Sequence, residues 1–313
     1  MNKKLSLITV VLIVISMFAG ISMFAKDIQI SVIVKTTNSD YWQVVNKGAI
    51  QAAKDMGVKM TFDGPSAETA INEQVNMMEN AINKKVDAII LAPCDPKALV
   101  PVVQKAEKAK IPVIIIDTKL AYNTVSFLTT DNVAAGAVAA KLLIEKAGKT
   151  GKIAVMSFVQ GAGSAVDREK GFVDYIKKNS SLVIVGTYYS NSDMPTALNQ
   201  TTDVLNANKD LVGIFGANEP TAIGMGRAIE EKGLKGKIVA IGFDGAPKLQ
   251  EFVKNGVLQA IVVQSPYNMG FLGIKTALDA INKKKVNPFV DTGVFGVTTD
   301  NISSADAQKA LGN

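Results

Sequence analysis

Short apolar runs alternate with helix-period patterns along most of the chain. Residues 28–34 form an apolar run that predicts a strand, and the apolar positions that follow recur at helical spacing, at Tyr41, Val45, Gly48, Ala52 and Met56. Further strands are predicted at 58–62, 88–91, 113–116, 153–158, 182–189, 212–215, 238–241 and 260–263. Strands that alternate with helices in this way are typical of an α/β fold with doubly wound parallel sheets.

Proline and glycine positions predict where two of the helices begin. One helix would open at Asp95-Pro96 and carry Pro101 in its interior, where the proline ring removes a backbone hydrogen bond and kinks the helix. A second helix would start at Arg168, after the Gly-rich loop from Gly161 to Ser164.

The pattern of elements also repeats within the chain. Residues 87–117 and 211–244 each contain a strand, a loop with proline and an acid, an amphipathic helix, and a β-branched strand that ends in aspartate. The two aspartates are Asp117 and Asp244. The shared order predicts two similar Rossmann-like lobes, and a ligand cleft between them, because ligands bind beyond the carboxyl ends of the strands in open α/β sheets.

Residues suited to a sugar lie at these predicted strand ends and nearby loops. Planar Asp, Asn, Gln and Arg groups pair with adjacent hydroxyls, and an aromatic ring packs against the C–H face of a pyranose. The candidates are Tyr41, Trp42, Asp117, Arg168, Asn218, Asp244 and Gln264. Each alone could cap a helix or pack a core, but the set together predicts a binding site.

Missing residue types exclude several function classes. The chain has no histidine and one cysteine, Cys94, which excludes a Ser-His triad, histidine-ligated metals and an intramolecular disulfide. We therefore expect no enzyme, no metal and no other cofactor. The net charge of +6 comes from scattered lysines, which argues against nucleic acid as a partner.

The first 25 residues predict export. Lys3 and Lys4 precede an uncharged, mostly apolar run from Leu5 to Ala25, as in a secretory signal peptide. A run of about 20 residues is also long enough to span a bilayer as an uncleaved anchor, and the sequence leaves both alternatives open.

Several motifs carry a family resemblance. They are DAIILAP at 87–93, KIPVIIID at 110–117, Arg-x-x-Gly-Phe at 168–172, Gly-Ala-Asn-Glu at 216–219 and Ile-Gly-Phe-Asp-Gly at 241–245. With them, residues 27–300 resemble the periplasmic sugar-binding proteins of the ribose-binding type, which have the type I periplasmic binding fold. LacI-type repressors share that fold but begin with a DNA-binding helix-turn-helix, where this chain has its apolar segment.

The resemblance implies which residues bind the ligand and how the lobes are connected. Sugar contacts would come from Asp117, Arg168, Asn218, Asp244 and Gln264 with the aromatic pair Tyr41-Trp42, and Lys35 and Ser39 are further candidates. The chain would cross a three-strand hinge near 129–131, 264 and 287–292. The N-terminal lobe would then comprise 27–129 plus 265–290, and the C-terminal lobe 130–264 plus 291–313.

The implied function is the substrate-binding component of an ABC importer. A periplasmic monomer would capture a monosaccharide by hinge closure and then dock on a membrane permease. Ribose binders usually have Asn-Pro-Phe-Phe where this chain has residues 39–42, and arginine where it has Thr118, so pentoses, hexoses and cyclitols all remain open. Lys35 and residues 63–65 also resemble autoinducer-2 binders, and a chemoreceptor ligand carrier fits the same residues.

Overall fold

The computed structural model describes residues 27–311, in which twelve strands form two six-stranded sheets. The predicted signal segment, residues 1–25, lies outside the described residues. None of the helices in the described range has the length and apolar composition that a membrane crossing requires.

The first sheet is entirely parallel. Its strands are β1 (Gln29–Ile33), β2 (Lys59–Asp63), β3 (Ala88–Leu91), β4 (Val113–Ile116), β5 (Ser126–Thr129) and β11 (Phe289–Asp291), in the order β11-β5-β4-β3-β1-β2. The helices that pack around it are α1 (Asp40–Met56), α2 (Ile71–Asn83), α3 (Val100–Lys108) and α9 (Pro266–Ile281). We refer to this sheet and its helices as the first lobe.

The second sheet repeats the arrangement with one antiparallel edge strand. Its strands are β6 (Thr150–Ser157), β7 (Ser181–Tyr189), β8 (Leu211–Gly216), β9 (Val239–Phe243), β10 (Ala260–Val263) and β12 (Phe295–Thr298), in the order β12-β10-β9-β8-β6-β7. Only β12 runs antiparallel to its neighbour, β10. The helices of this second lobe are α4 (Asn132–Ala147), α5 (Gly163–Asn179), α6 (Met194–Ala207), α7 (Glu219–Glu231), α8 (Pro247–Lys254) and α10 (Ala305–Leu311).

Central strands of both sheets are buried along their whole length. Every residue of β3, β4 and β10 is buried, because helices cover both faces of each sheet. The chain passes between the two sheets three times, after β5, after β10 and after β11. The predicted fold class, two similar doubly wound α/β lobes joined by three connections, is confirmed.

Two predicted helix starts were wrong. Residues 96–99 form turns, and an oxygen of Asp95 accepts the amides of Lys97 and Ala98, both at 2.7 Å. The helix begins only at Val100, so Pro101 lies in its first turn, where no intrahelical N–H bond is lost and no kink follows. The other helix begins at Gly163, which places Arg168 in its second turn.

Helices α1 and α9 cross at very short distance through glycine. A Cβ atom at Gly48 would lie 2.0 Å from the carbonyl oxygen of Tyr267, and one at Gly270 would lie 2.0 Å from that of Val45. Because only hydrogen fits at these two positions, the crossing fixes the start of α1 relative to the connection that follows β10.

Candidate ligand-binding site

The two repeated aspartates occupy equivalent positions in the two lobes. Asp117 follows β4 with φ +61°, and Asp244 follows β9 with φ +77°. Each donates its backbone N–H to the neighbouring strand, to the carbonyls of Leu128 and Val262 at 2.9 and 2.8 Å. Aspartate tolerates this left-handed backbone better than most residues, and the turn aims both side chains beyond the carboxyl ends of their sheets.

Both aspartates face one cavity between the lobes. It is lined by Lys35, Ser39, Tyr41, Trp42, Glu68, Asp117, Phe158, Ser164, Arg168, Asn218, Glu219, Pro220, Asp244 and Gln264. All nine residues predicted from the sequence are among them. The structure therefore brings the predicted set together; their contact with a ligand stays a prediction.

A buried charge cluster forms the first lobe's side of the cavity. Lys35 Nζ lies 3.3 Å from Asp117 Oδ2 and 3.4 Å from Glu68 Oε2, and all three side chains are buried. Asp117 also accepts the hydroxyls of Tyr41 at 2.8 Å and Thr118 at 2.5 Å. This network holds the Asp117 carboxylate in one orientation.

Ionisation in this cluster depends on the pairing. Burial alone would lower the pKa of Lys35, but the carboxylates of Glu68 and Asp117 raise that pKa above its ordinary value. Burial alone would likewise raise the pKa of Asp117, and Lys35 with the two hydroxyl donors lowers it. Lys35 and Asp117 are therefore both charged at neutral pH.

On the second lobe's side of the cavity, the guanidinium of Arg168 is held by hydrogen bonds and aromatic rings. Its Nε and one terminal nitrogen donate to Asn132 Oδ1 at 3.2 and 2.7 Å, and the other terminal nitrogen donates to the carbonyl of Ala217. The guanidinium lies 3.5 Å from the ring centroid of Phe243 and 5.4 Å from that of Phe158. Three of the five guanidinium N–H groups are thus engaged, which leaves donors for a ligand.

Asp244 and Gln264 form a second polar pair in this lobe. Gln264 Nε2 donates to Asp244 Oδ1 at 2.8 Å, and the backbone N–H of Glu219 donates to Asp244 Oδ2 at 2.9 Å. Burial raises the pKa of Asp244, while the charge of Arg168 opposes the rise. Gln264 Oε1 is buried without a hydrogen-bond partner among the described residues, so the pair has an acceptor available for a ligand.

Glu219 is a further buried acid in the site. Both of its carboxyl oxygens accept backbone amides, those of Asp40 at 3.0 Å and Tyr41 at 2.7 Å. Burial and the neighbouring Asp244 nevertheless raise the pKa of Glu219 to about 8, because the two amides only partly offset them.

Aromatic rings face the cavity from both lobes. Trp42 is buried on α1 and meets Tyr41 edge-on with centroids 4.9 Å apart, and Phe158 directly follows β6 in the other lobe. Lys35 Nζ lies 5.7 Å from the Trp42 centroid and 5.6 Å from the Phe158 centroid. One ring from each lobe therefore lies close to the Lys35 ammonium group.

Asn218 also has a purely structural role. Strand β8 ends at Gly216, and Asn218 is the N-cap of α7, where its Oδ1 accepts the amide of Thr221 at 3.2 Å. Its Nδ2 donates to Ser192 Oγ at 2.9 Å. Across the described residues no group of three or more His, Cys, Asp or Glu side chains is arranged to hold a metal ion.

The sequence profile of the periplasmic binding protein domain matches residues 30–285. This chain belongs to the periplasmic binding protein family. The predicted family is thereby confirmed. The cavity of this periplasmic binding protein lies in the cleft between its two α/β lobes, beyond the carboxyl ends of the strands.

Relatives of this periplasmic binding protein cover nearly its whole length. The D-allose-binding periplasmic protein of Escherichia coli (strain K12) is 31% identical over 297 residues, which cover 92% of this chain and 94% of that protein. A crystal structure of an ABC transporter solute binding protein from Agrobacterium vitis with bound D-fucose is 60% identical, covers 90% of this chain and 98% of that chain, and has a TM-score of 0.87. A carbohydrate transporter solute binding protein from Agrobacterium radiobacter in complex with D-arabinose is 40% identical, covers 92% and 99%, and has a TM-score of 0.89.

Sequence reasoning missed several residues that line the cavity. They are Glu68, Phe158, Ser164, Glu219 and Pro220. Phe158 and Glu68 lie in the segments that follow β6 and β2, so the strand-end rule applied to every parallel strand would have found them. Glu219 follows β8 closely and the same rule finds its position, but its contacts with residues about 180 positions earlier in the chain carry no local signal.

Proposed function

We propose that this periplasmic binding protein captures a monosaccharide in its pyranose form for an ABC importer. The observation that carries the proposal is the cavity, to which two lobes contribute buried carboxylates, an amide, a guanidinium and aromatic rings. The relatives with bound D-fucose and D-arabinose, and the D-allose-binding relative, support the same ligand class.

The polar groups suit neutral hydroxyls. Both oxygens of Asp244 and Oδ1 of Asp117 each accept one hydrogen bond from the protein and retain a lone pair for a second donor. Oδ2 of Asp117 already contacts both Thr118 and Lys35. Gln264 Oε1 is an unpaired buried acceptor, and Arg168 has unengaged donors. Hydroxyl groups both donate and accept, so a polyol ring satisfies both kinds of group at once.

The aromatic rings suit a pyranose. Trp42 and Phe158 belong to different lobes, so a sugar ring between them would bury its C–H faces on closure. D-fucose, which has a methyl group where galactose has a hydroxymethyl group, is the first candidate because the 60% identical relative binds it.

Closure of the lobes would complete the site. We propose lobes of 27–129 plus 265–290 and of 130–264 plus 291–313, which the three connections between the sheets support. A sugar that contacts both lobes stabilises the closed form, and the closed form then docks on a membrane permease. Because one chain lines the whole cavity, we propose a periplasmic monomer that binds its ligand without chemical conversion.

Isothermal titration of the purified protein tests the proposal. The panel is D-fucose, D-galactose, L-arabinose, D-arabinose, D-allose, D-ribose, myo-inositol and autoinducer-2, with open-chain mannitol as the control that has hydroxyls but no ring. We expect one or two ring sugars to bind at least a hundredfold more tightly than mannitol. Binding of autoinducer-2 alone, or of nothing in the panel, would refute the monosaccharide proposal while leaving the family assignment intact.

A further inference from the structure

Glu219 belongs to the second lobe, but its side chain contacts the first lobe. It is the first residue of α7, yet its two carboxyl oxygens accept the amides of Asp40 and Tyr41 at 3.0 and 2.7 Å, which are the first two residues of α1. The side chain is only 5% exposed. The contact is thus a buried bridge between the lobes.

Helix α1 has no cap of its own. The first amides of any helix lack intrahelical acceptors, and a side chain at the N-cap position normally accepts one of them. Ser39 occupies that position in α1 with extended backbone but makes no capping hydrogen bond. In contrast, Asp131 and Asp193 cap α4 and α6 from within the same lobe.

Glu219 also contacts the candidate sugar-binding residues on both sides. Its backbone N–H donates to Asp244 Oδ2 at 2.9 Å, and the helix that its side chain caps carries Tyr41 and Trp42 into the cavity. Since both carboxyl oxygens are occupied by α1 amides, Glu219 has little capacity left for a ligand.

We propose that Glu219 is a positioning residue that caps α1 from the opposite lobe and so stabilises the closed form. When the lobes separate, the α1 amides and the Glu219 carboxyl each return to water, and when they close, the cap and the orientation of Tyr41 and Trp42 are restored together. The inference rests on the proposed hinge closure. It identifies Glu219 as a residue that favours the closed form whichever sugar is bound.

A second bridge between the lobes is more exposed. Lys119 Nζ lies 2.6 Å from Asp167 Oδ1, but the two side chains are 46% and 26% exposed. Exposed ion pairs contribute little, so the buried Glu219 contact is expected to affect closure more than the Lys119–Asp167 pair. The buried hydroxyls of Thr118 and Ser164, 3.2 Å apart, also join the lobes, but they carry no charge and cap no helix.

The test compares Glu219→Ala with Asp193→Ala. The second variant also removes a carboxylate that caps a helix, but one that is exposed and acts within a single lobe. Kd and dissociation rates are measured for D-fucose and for a second sugar that binds, and radii of gyration are measured by small-angle scattering with and without sugar. For Glu219→Ala we expect a Kd about tenfold larger, the effect of losing about two hydrogen bonds, mainly through faster dissociation.

The two sugars distinguish positioning from direct contact. A closure effect raises both Kd values by the same factor and enlarges the ligand-free radius of gyration, while Asp193→Ala leaves affinity and radius unchanged. A loss that differs between the sugars, or an unchanged Kd, overturns the inference. If the wild-type chain binds no sugar, the proposed function fails, and the ligand-free scattering then decides: an equal radius for wild type and Glu219→Ala refutes the positioning role.

Discussion

Replacing Asp244 with asparagine should remove about half or more of the stabilisation that a bound sugar confers. Asparagine has nearly the same shape and also tolerates the left-handed backbone at this position, where φ is +77°. It keeps one acceptor oxygen, so either Gln264 Nε2 or the Glu219 amide loses its partner. The substitution therefore changes the charge and hydrogen bonding of the site while preserving its packing.

The magnitude follows from the hydrogen bonds that the carboxylate can make to sugar hydroxyls. Hydrogen bonds to a charged group contribute about 1.5–3 kcal/mol, so Kd should rise about 10- to 150-fold. Sugar at a hundredfold excess over the wild-type Kd stabilises the native state by about 2.7 kcal/mol, which is a rise in Tm of about 5–10 °C for a chain of this size. At the same concentration the variant should gain only about 1–6 °C over its own ligand-free Tm.

The assay is differential scanning fluorimetry with each variant referred to its own ligand-free melting temperature. Asp193→Asn is the matched control, because it makes the same chemical change at an exposed N-cap outside the cavity and should retain the full wild-type shift. A full wild-type shift in Asp244→Asn would refute the reasoning that this carboxylate contacts the sugar.

Three further predictions concern stability, pH and reactivity. Gly48→Ala should cost about 2 kcal/mol or more in the urea unfolding free energy, because its Cβ would lie 2.0 Å from the Tyr267 carbonyl oxygen; a loss below about 0.5 kcal/mol would contradict the rigid crossing. With the lobes closed, burial and Asp244 raise the pKa of Glu219 to about 8, whereas an exposed glutamate has a pKa of 4.5. Closure of the lobes therefore takes up a proton when the pH lies between 4.5 and 8. Sugar affinity measured by titration calorimetry should therefore fall as pH rises from 6 to 9, and Glu219→Gln should weaken this dependence; a wild-type affinity that rises with pH would count against it. Cys94 is buried, which raises the pKa of its thiol to about 12, so native protein should react with a thiol reagent at pH 8 far more slowly than urea-unfolded protein; equal rates would exclude the buried thiol.

Local pattern was sufficient to predict most strands and the repeat. The strands at 88–91, 113–116 and 260–263 have the predicted bounds, because these apolar runs are too short for a helix and their β-branched residues favour a buried parallel strand. Strands β5, β11 and β12 were not predicted. They are three or four residues long and contain too few apolar residues to form a recognisable strand pattern in the sequence.

Helix starts depended on contacts that local pattern does not contain. Asp95 and Pro96 form a plausible start signal, but the Asp95 side chain closes a turn instead, and the helix begins five residues later. At α1 the local sequence places Ser39 at the N-cap, but its side chain makes no capping hydrogen bond, and the capping group is Glu219 from the other lobe.

The sequence by itself determined the duplicated α/β lobes and which polar residues would meet beyond the strands, because strand ends of parallel sheets lie at one edge and the repeat marks that edge twice. Tertiary structure decided how those residues are held: the pairing of Lys35 with Asp117 and Glu68, the engagement of Arg168 by Asn132, and the bridge from Glu219 to α1. The physical reason is that burial, charge pairing and capping depend on distances between segments far apart in the chain. The first two contacts form when the segments of a single lobe pack together, and the Glu219 bridge forms only when the two lobes meet.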